Sequence, residues 1–215
     1  MRKDQTVAHG VLRKLGARGA IASAIALALA SPVAAQFQSE GYQFLEAVKE
    51  ADGDKATDML SKPGTQIVNT RDITSGDTGL HIAVARSDLL WVRFLLQRGG
   101  DPNIRNKKGA TPLQVATALG FTDGVAALIK GGASVDIADQ TGETPLITAV
   151  HARNLALVRL LLEKGADPDR NDNSGRSARN YMELQAGNDV LRQIFAEADT
   201  KRAQAGTKKD YGPSF

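Results

Sequence analysis

The 215-residue chain contains no cysteine. Disulfides, thiolate metal centres and a cysteine nucleophile are thereby excluded, and the fold has to be held by packing and hydrogen bonds alone. Histidine is nearly as scarce: His9, His81 and His151 stand far apart, so no histidine pair has metal-ligand spacing. There is no P-loop, dinucleotide glycine pattern, nucleophile elbow or zinc-protease motif. Asp77-Thr78-Gly79 spells the triplet of aspartic proteases, but that chemistry needs two carboxylates sharing a proton, and no second triplet occurs. A long apolar stretch is also missing. The Ala-rich run Ala20–Ala30 falls short of the roughly 20 apolar residues of a transmembrane helix.

That run has a different meaning. Arg2, Lys3, Arg13, Lys14 and Arg18 precede it against a single Asp4, and Ser31-Pro32-Val33-Ala34-Ala35 follow it. A basic start, a short apolar core and small residues before a cut site form the pattern of a secretory signal peptide, here residues 1–35. Cleavage is expected after Ala35, with Ala28-x-Ala30 as the alternative, and the absence of a twin arginine favours the general secretory route. The formal charge of +3 belongs to the whole chain. Removing five basic residues and one acidic residue with the signal turns it to −1, so overall basicity offers no case for nucleic-acid binding.

What the chain has in quantity is repetition. Thr78-Gly79-Leu80-His81-Ile82-Ala83, Thr111-Pro112-Leu113-Gln114-Val115-Ala116, Thr144-Pro145-Leu146-Ile147-Thr148-Ala149 and Ser177-Ala178-Arg179-Asn180-Tyr181-Met182 start 33 residues apart. Val92, Val125, Val158 and Leu191 keep the same period, as do Leu95, Leu128, Leu161 and Ile194, and then Leu96, Ile129, Leu162 and Phe195. Each unit reads as two short helices whose apolar faces only a neighbour can cover. Thr111 and Thr144 stand at helix N-caps with Pro112 and Pro145 next, where a missing N–H is harmless. Gly99-Gly100, Gly131-Gly132 and Gly165 close the second helices. A further unit lies in front: Phe44, Ala47, Ala56, Met59 and Leu60 repeat the pattern at an offset of 36, which assigns three extra residues to the loop 61–77.

A period of 33 with a Thr-Pro-Leu-His-x-Ala core resembles the ankyrin-repeat family, over roughly residues 39–200. The resemblance implies an all-α repeat solenoid: an ankyrin stack of about five helix-turn-helix units, near 42–77, 78–110, 111–143, 144–176 and 177–200, with β-hairpin fingers. The repeat domain is expected over 36–202, long enough to bury a continuous core, and a disordered tail over 203–215. The outer units depart from consensus as caps do, and Arg179 replaces a buried leucine. His81 sits where the family places a histidine that bonds between neighbouring repeats, and Trp91 is expected in packing.

The resemblance further implies a non-catalytic protein-binding module without cofactor or metal, monomeric, with another protein as partner and no nucleic acid or inserted membrane segment. By position it assigns contact to finger residues Thr74, Ser75, Asp77, Lys107, Lys108, Ala110, Gln140, Thr141, Glu143, Asn173, Ser174 and Arg176. Behind them on the concave helices stand Arg86, Leu119 and His151. With the signal, the expectation is a bacterial protein exported to the periplasm or beyond. A secreted effector acting on a foreign-cell protein is the alternative in the same class, and an enzyme or accessory domain with an unrecognised site is the competing class.

Overall fold

A computed structural model describes residues 39–209 apart from 63 and 186, with side chains described as far as 204. The expected signal segment and residues 210–215 lie outside the described residues. Among the described residues ten α-helices run in sequence: α1 (Glu40–Glu50), α2 (Gly53–Leu60), α3 (Gly79–Ala85), α4 (Leu89–Gln97), α5 (Pro112–Ala118), α6 (Thr122–Lys130), α7 (Pro145–His151), α8 (Leu155–Glu163), α9 (Ala178–Leu184) and α10 (Asp189–Lys209). Each pair packs on itself. The first helices then follow one another (α1, α3, α5, α7, α9), and from α4 onward the second helices do the same, giving an all-α solenoid of two layers.

Local chemistry sets the helix ends. Thr111 Oγ1 accepts the amide of Gln114, and Gln114 Oε1 returns a bond to the Thr111 amide at 2.9 Å, a capping box with Pro112 in the first turn. Asp52, Asp88, Asn154 and Asn188 cap α2, α4, α8 and α10 through their side chains. Between the two helices of each unit one residue adopts the left-handed conformation: Ala51, Ser87, Gly120, Arg153 and Gly187. Gly99, Gly132 and Gly165 take the same conformation where second helices end.

The repeating columns form the core. Val92, Val125, Val158 and Leu191 are fully buried, and so are Leu95, Leu128 and Leu161. A polar column runs beside it. Asn69 donates to the Gly99 carbonyl at 3.2 Å and accepts the Asp101 amide at 2.8 Å; Asn103 does the same with Gly132 and Ser134 at 3.0 and 2.9 Å. The next member, Asp136, accepts the Asp167 amide at 2.9 Å.

Two expectations need correction. The fingers are not β-hairpins with ladders: among the described residues only two isolated antiparallel bridges occur, Arg71 with Thr78 and Asn171 with Ser177. Each tip spans only five or six residues, and a side chain closes it where a ladder would otherwise do so. Residues 203–209, read as part of a disordered tail, continue α10. The helix is anchored ahead of that point by Arg202, which donates to the carbonyl of buried Ala166. Arg179 stands where the other units bury Leu80, Leu113 and Leu146. It binds Asp169 at 2.7 Å and Asp199 at 2.9 Å and lies over the Phe195 ring, so its charge is matched while its stem packs. Those carboxylates, Asp169 foremost, hold the guanidinium above its ordinary range.

Candidate binding surface

Every finger is organised by one acidic or amide side chain. Asp72 Oδ1 accepts the amides of Thr74 and Ser75 at 2.9 Å. Asn106 Oδ1 accepts those of Lys108 and Ala110, Asp139 Oδ1 those of Thr141 and Glu143, and Asp172 Oδ1 those of Ser174 and Arg176. This is the Asx turn, in which a short side chain stands in for a backbone partner. Gly76, Gly109, Gly142 and Gly175, with φ between 75° and 80°, complete the turns. The first tip is one residue longer: Asp72 closes on Asp77, whereas Asn106 closes on Ala110. One of the three extra residues in loop 61–77 is therefore spliced into a finger.

Neighbouring tips are joined. The Lys107 amide donates to Ser75 O at 2.9 Å and the Asn173 amide to Thr141 O at 3.0 Å. Asn106 Nδ2 donates to Asp77 Oδ1 at 2.8 Å, and Asn173 Nδ2 to Gln140 O at 3.0 Å. The first tip is thus joined to the second and the third to the fourth, and the twelve finger residues assigned by position lie along one rim of the stack. Thr74, Lys107, Lys108, Gln140, Thr141, Asn173, Ser174 and Arg176 are exposed, and Ser75, Asp77, Ala110 and Glu143 are half-buried beneath them. Lys107 bends back so that its ammonium donates to Ile73 O, while the Lys108 ammonium has no partner among the described residues.

Beneath the rim the first helices present a graded floor. Ile82, Ala85 and Val115 line a groove of about 550 Å³ between α3 and α5, bordered by Lys108 and Asp77. Further along, the floor becomes polar. His151 Nδ1 stands 3.3 Å from Glu143 Oε1, and the His151 and Tyr181 rings meet edge-on with centroids 4.3 Å apart. Tyr181 donates to Asp172 Oδ2 at 2.7 Å, and Ser174 Oγ donates to Asp172 Oδ1 at the same distance. Those two hydroxyls, Tyr181 first, hold the Asp172 carboxyl well below the usual carboxylate range. Leu119 stays 53% exposed on this face, and Leu184 67%.

Arg86 has a second occupation. Its guanidinium donates to the carbonyls of Val48 and, at 2.9 Å, Lys49, closing the C-terminus of α1. Gln185, two units after Leu119 in the same register, likewise donates to Val150 O at 3.0 Å, while its Oε1 is buried without a partner among the described residues. Position alone missed Ile82, Val115 and Tyr181. They share the column of Thr148, and projecting the 33-residue frame one place past the His81 column would have found them. His81 is buried: its Nδ1 accepts from Thr78, and its Nε2 proton reaches Ala110 O at 3.0 Å across the unit boundary. No cluster of three or more metal-ligating side chains occurs among the described residues, and no described helix is long and apolar enough to cross a membrane.

A family model of ankyrin repeats, three copies long, matches residues 44–139 and again 80–172, together more than half of the chain. An ankyrin repeat protein of fowlpox virus is 45% identical over 47 residues, 22% of this chain and 14% of the viral protein. Oxysterol-binding protein homolog 1 of Saccharomyces cerevisiae is 33% identical over 75 residues, 34% of this chain and 6% of the yeast protein. The chain therefore spans only a small part of the length of either relative.

Proposed function

Because this chain belongs to the ankyrin-repeat family, we propose that its finger rim and first-helix groove seat another protein, and that it does so outside the cytoplasm of a bacterium. An ankyrin stack is a protein–protein interaction module, with the structure used up in making a surface. The observation that carries the reading here is the rim itself. Its backbone is fixed by Asp72, Asn106, Asp139 and Asp172, so the exposed side chains project from a set frame. A preorganised surface of mixed charge with an apolar floor suits a protein better than a uniform polyanion.

The test is a capture experiment with the whole protein and crosslinking from an envelope fraction. Lys107→Glu with Lys108→Glu, or Leu119→Ala with His151→Ala, should leave helical circular dichroism and melting within about 0.5 kcal/mol, since these side chains are exposed. Both pairs should weaken capture of the same partner, the lysine pair in a salt-dependent way. Arg159→Ala, on α8, should not. Equal effects on the two faces would remove the groove assignment. The export reading rests on the charge step before Ala20 and the small residues before Gln36. It calls for a periplasmic protein whose intact mass begins at Gln36, or at Ser31; a cytosolic product starting at Met1 would refute it.

A further inference from the structure

The second finger departs from the other three at three positions, and the departures meet in one place. Asp72, Asp139 and Asp172 close their turns, whereas Asn106 closes this one. In the other fingers a hydroxyl returns to the acid: Ser75 donates to Asp72 at 3.4 Å, Thr141 to Asp139 at 2.7 Å and Ser174 to Asp172 at 2.7 Å. Here Lys108 stands two residues after Asn106, an amide with no charge to hold it. Its ammonium is exposed and makes no hydrogen bond or ion pair among the described residues. A local pattern broken without an internal gain is expected where a surface serves something outside the chain.

The third departure opens the floor. In the third finger Glu143 folds over its helix, accepting from Thr148 Oγ1 at 2.9 Å and standing 3.3 Å from His151 Nδ1. Ala110 has no side chain that could do so, and Val115 replaces the hydroxyl of Thr148 behind it. Asn106, Lys108, Ala110 and Val115 all line the groove of about 550 Å³, whose floor Ile82 and Ala85 continue. The charge around that floor is mostly of one sign. Lys49, Arg86 and Lys108 reach it from α1, the end of α3 and the finger, against Asp77 alone. Asp77 is held by Asn106 Nδ2 at 2.8 Å. Glu46, Asp72 and Asp88, which pair with Lys49 and Arg86, do not line the groove.

We propose that the partner segment seated in this groove is acidic and aliphatic. A leucine, isoleucine or valine side chain rests on Ile82, Ala85 and Val115, and an adjacent aspartate or glutamate meets the Lys108 ammonium. This rests on the reading of the rim and groove as a protein-binding surface and adds the chemistry of what binds. A nucleic acid would answer the charge but has no aliphatic side chain for the floor.

The probes are two dye-labelled amphipathic peptides, one of leucine and glutamate, the other with lysine for every glutamate. Each is titrated against the whole protein and read by anisotropy. The glutamate peptide should bind saturably and lose affinity with salt, while the lysine peptide should not bind. Lys108→Glu, at an exposed tip, and Ala85→Glu, which puts a carboxylate on the floor, should both keep the parent circular dichroism. Each should weaken the glutamate peptide at least about fivefold. Arg159→Ala, which removes an exposed cation from α8, should bind it as the parent does. The proposal is overturned if the glutamate peptide does not bind, if both peptides bind alike, or if either glutamate variant keeps the parent affinity. It is also overturned if oligothymidylate competes as well as unlabelled peptide, or if sedimentation shows a dimer that Lys108→Glu dissociates, the occupant then being a second copy. Should the peptides fail while Leu119→Ala with His151→Ala still weakens capture of the native partner, the acidic assignment falls and the rim reading stands.

Discussion

His81 and Gln114 hold the same place in successive units and make the same two connections with different chemistry. Each accepts from its own N-cap threonine, and each donates to a carbonyl of the next finger, His81 to Ala110 O and Gln114 to Glu143 O. Only the histidine titrates, and burial holds it below its usual range. In the unfolded chain a histidine protonates near about 6.5. As pH falls through that value the unfolded state takes up a proton that the native state refuses, so stability declines until the lower native pKa is reached; above it nothing is lost. His81→Gln should therefore keep stability at pH 7 within about 1 kcal/mol and reduce the drop in urea midpoint between pH 7 and pH 5. An equal drop in both proteins would show that His81 is not its source. Ser87 offers a second test, since its φ of 54° is one that glycine adopts without strain. Ser87→Gly should raise stability by up to about 1 kcal/mol, net of the entropy glycine brings to the unfolded chain. The role of His81 was legible because the register and the family fix it together. That of Arg86 was not: its carbonyl partners lie 37 and 38 residues away, and no local pattern announces them.

At the scale of the helix, burial follows the columns. Leu128 and Leu161 have no exposed surface, and each stands between neighbouring units. Leu128→Ala or Leu161→Ala should cost roughly 2–5 kcal/mol through the cavity left behind, read as a denaturant midpoint lowered at constant slope. The ten helices were legible because a buried column must recur wherever the unit recurs. The ends were less so. Composition called residues 203–209 disordered, yet α10 runs through them, started by Asn188 and pinned at Arg202 by a carbonyl in another unit. Ending the chain at Gln204 should leave melting unchanged. Ending it at Thr200 removes Arg202 from the Ala166 carbonyl and Lys201 from Glu163, 3.7 Å away, and should cost about 1–2 kcal/mol. The fingers misled for a related reason. Their backbone donors are met by Asp72, Asn106, Asp139 and Asp172, a column of three acids and one amide that leaves no hydrophobic period to read.

Across the molecule each unit meets only its neighbours, so protection should be uneven. Amide exchange should be slowest in α5 and α7, which have units on both sides, and fastest in α1, α2 and the end of α10; uniform rates would contradict a nearest-neighbour stack. The rim was legible at this scale, because the frame carries one finger onto the next. The polar column from Asn69 to Asp136 has a mechanical consequence. Asn69 and Asn103 each give and take a hydrogen bond, whereas a carboxylate only takes, so Asp136 ties unit three to unit four by a single strand. There, too, α6 meets α8 over less of its length than α4 meets α6. The join between the third and fourth units is thus looser than the one before it. Strained along its axis, the solenoid should part there before it parts between the second and third units, and a partner lying across that join could widen or narrow the distance from Lys108 to Tyr181 against less resistance.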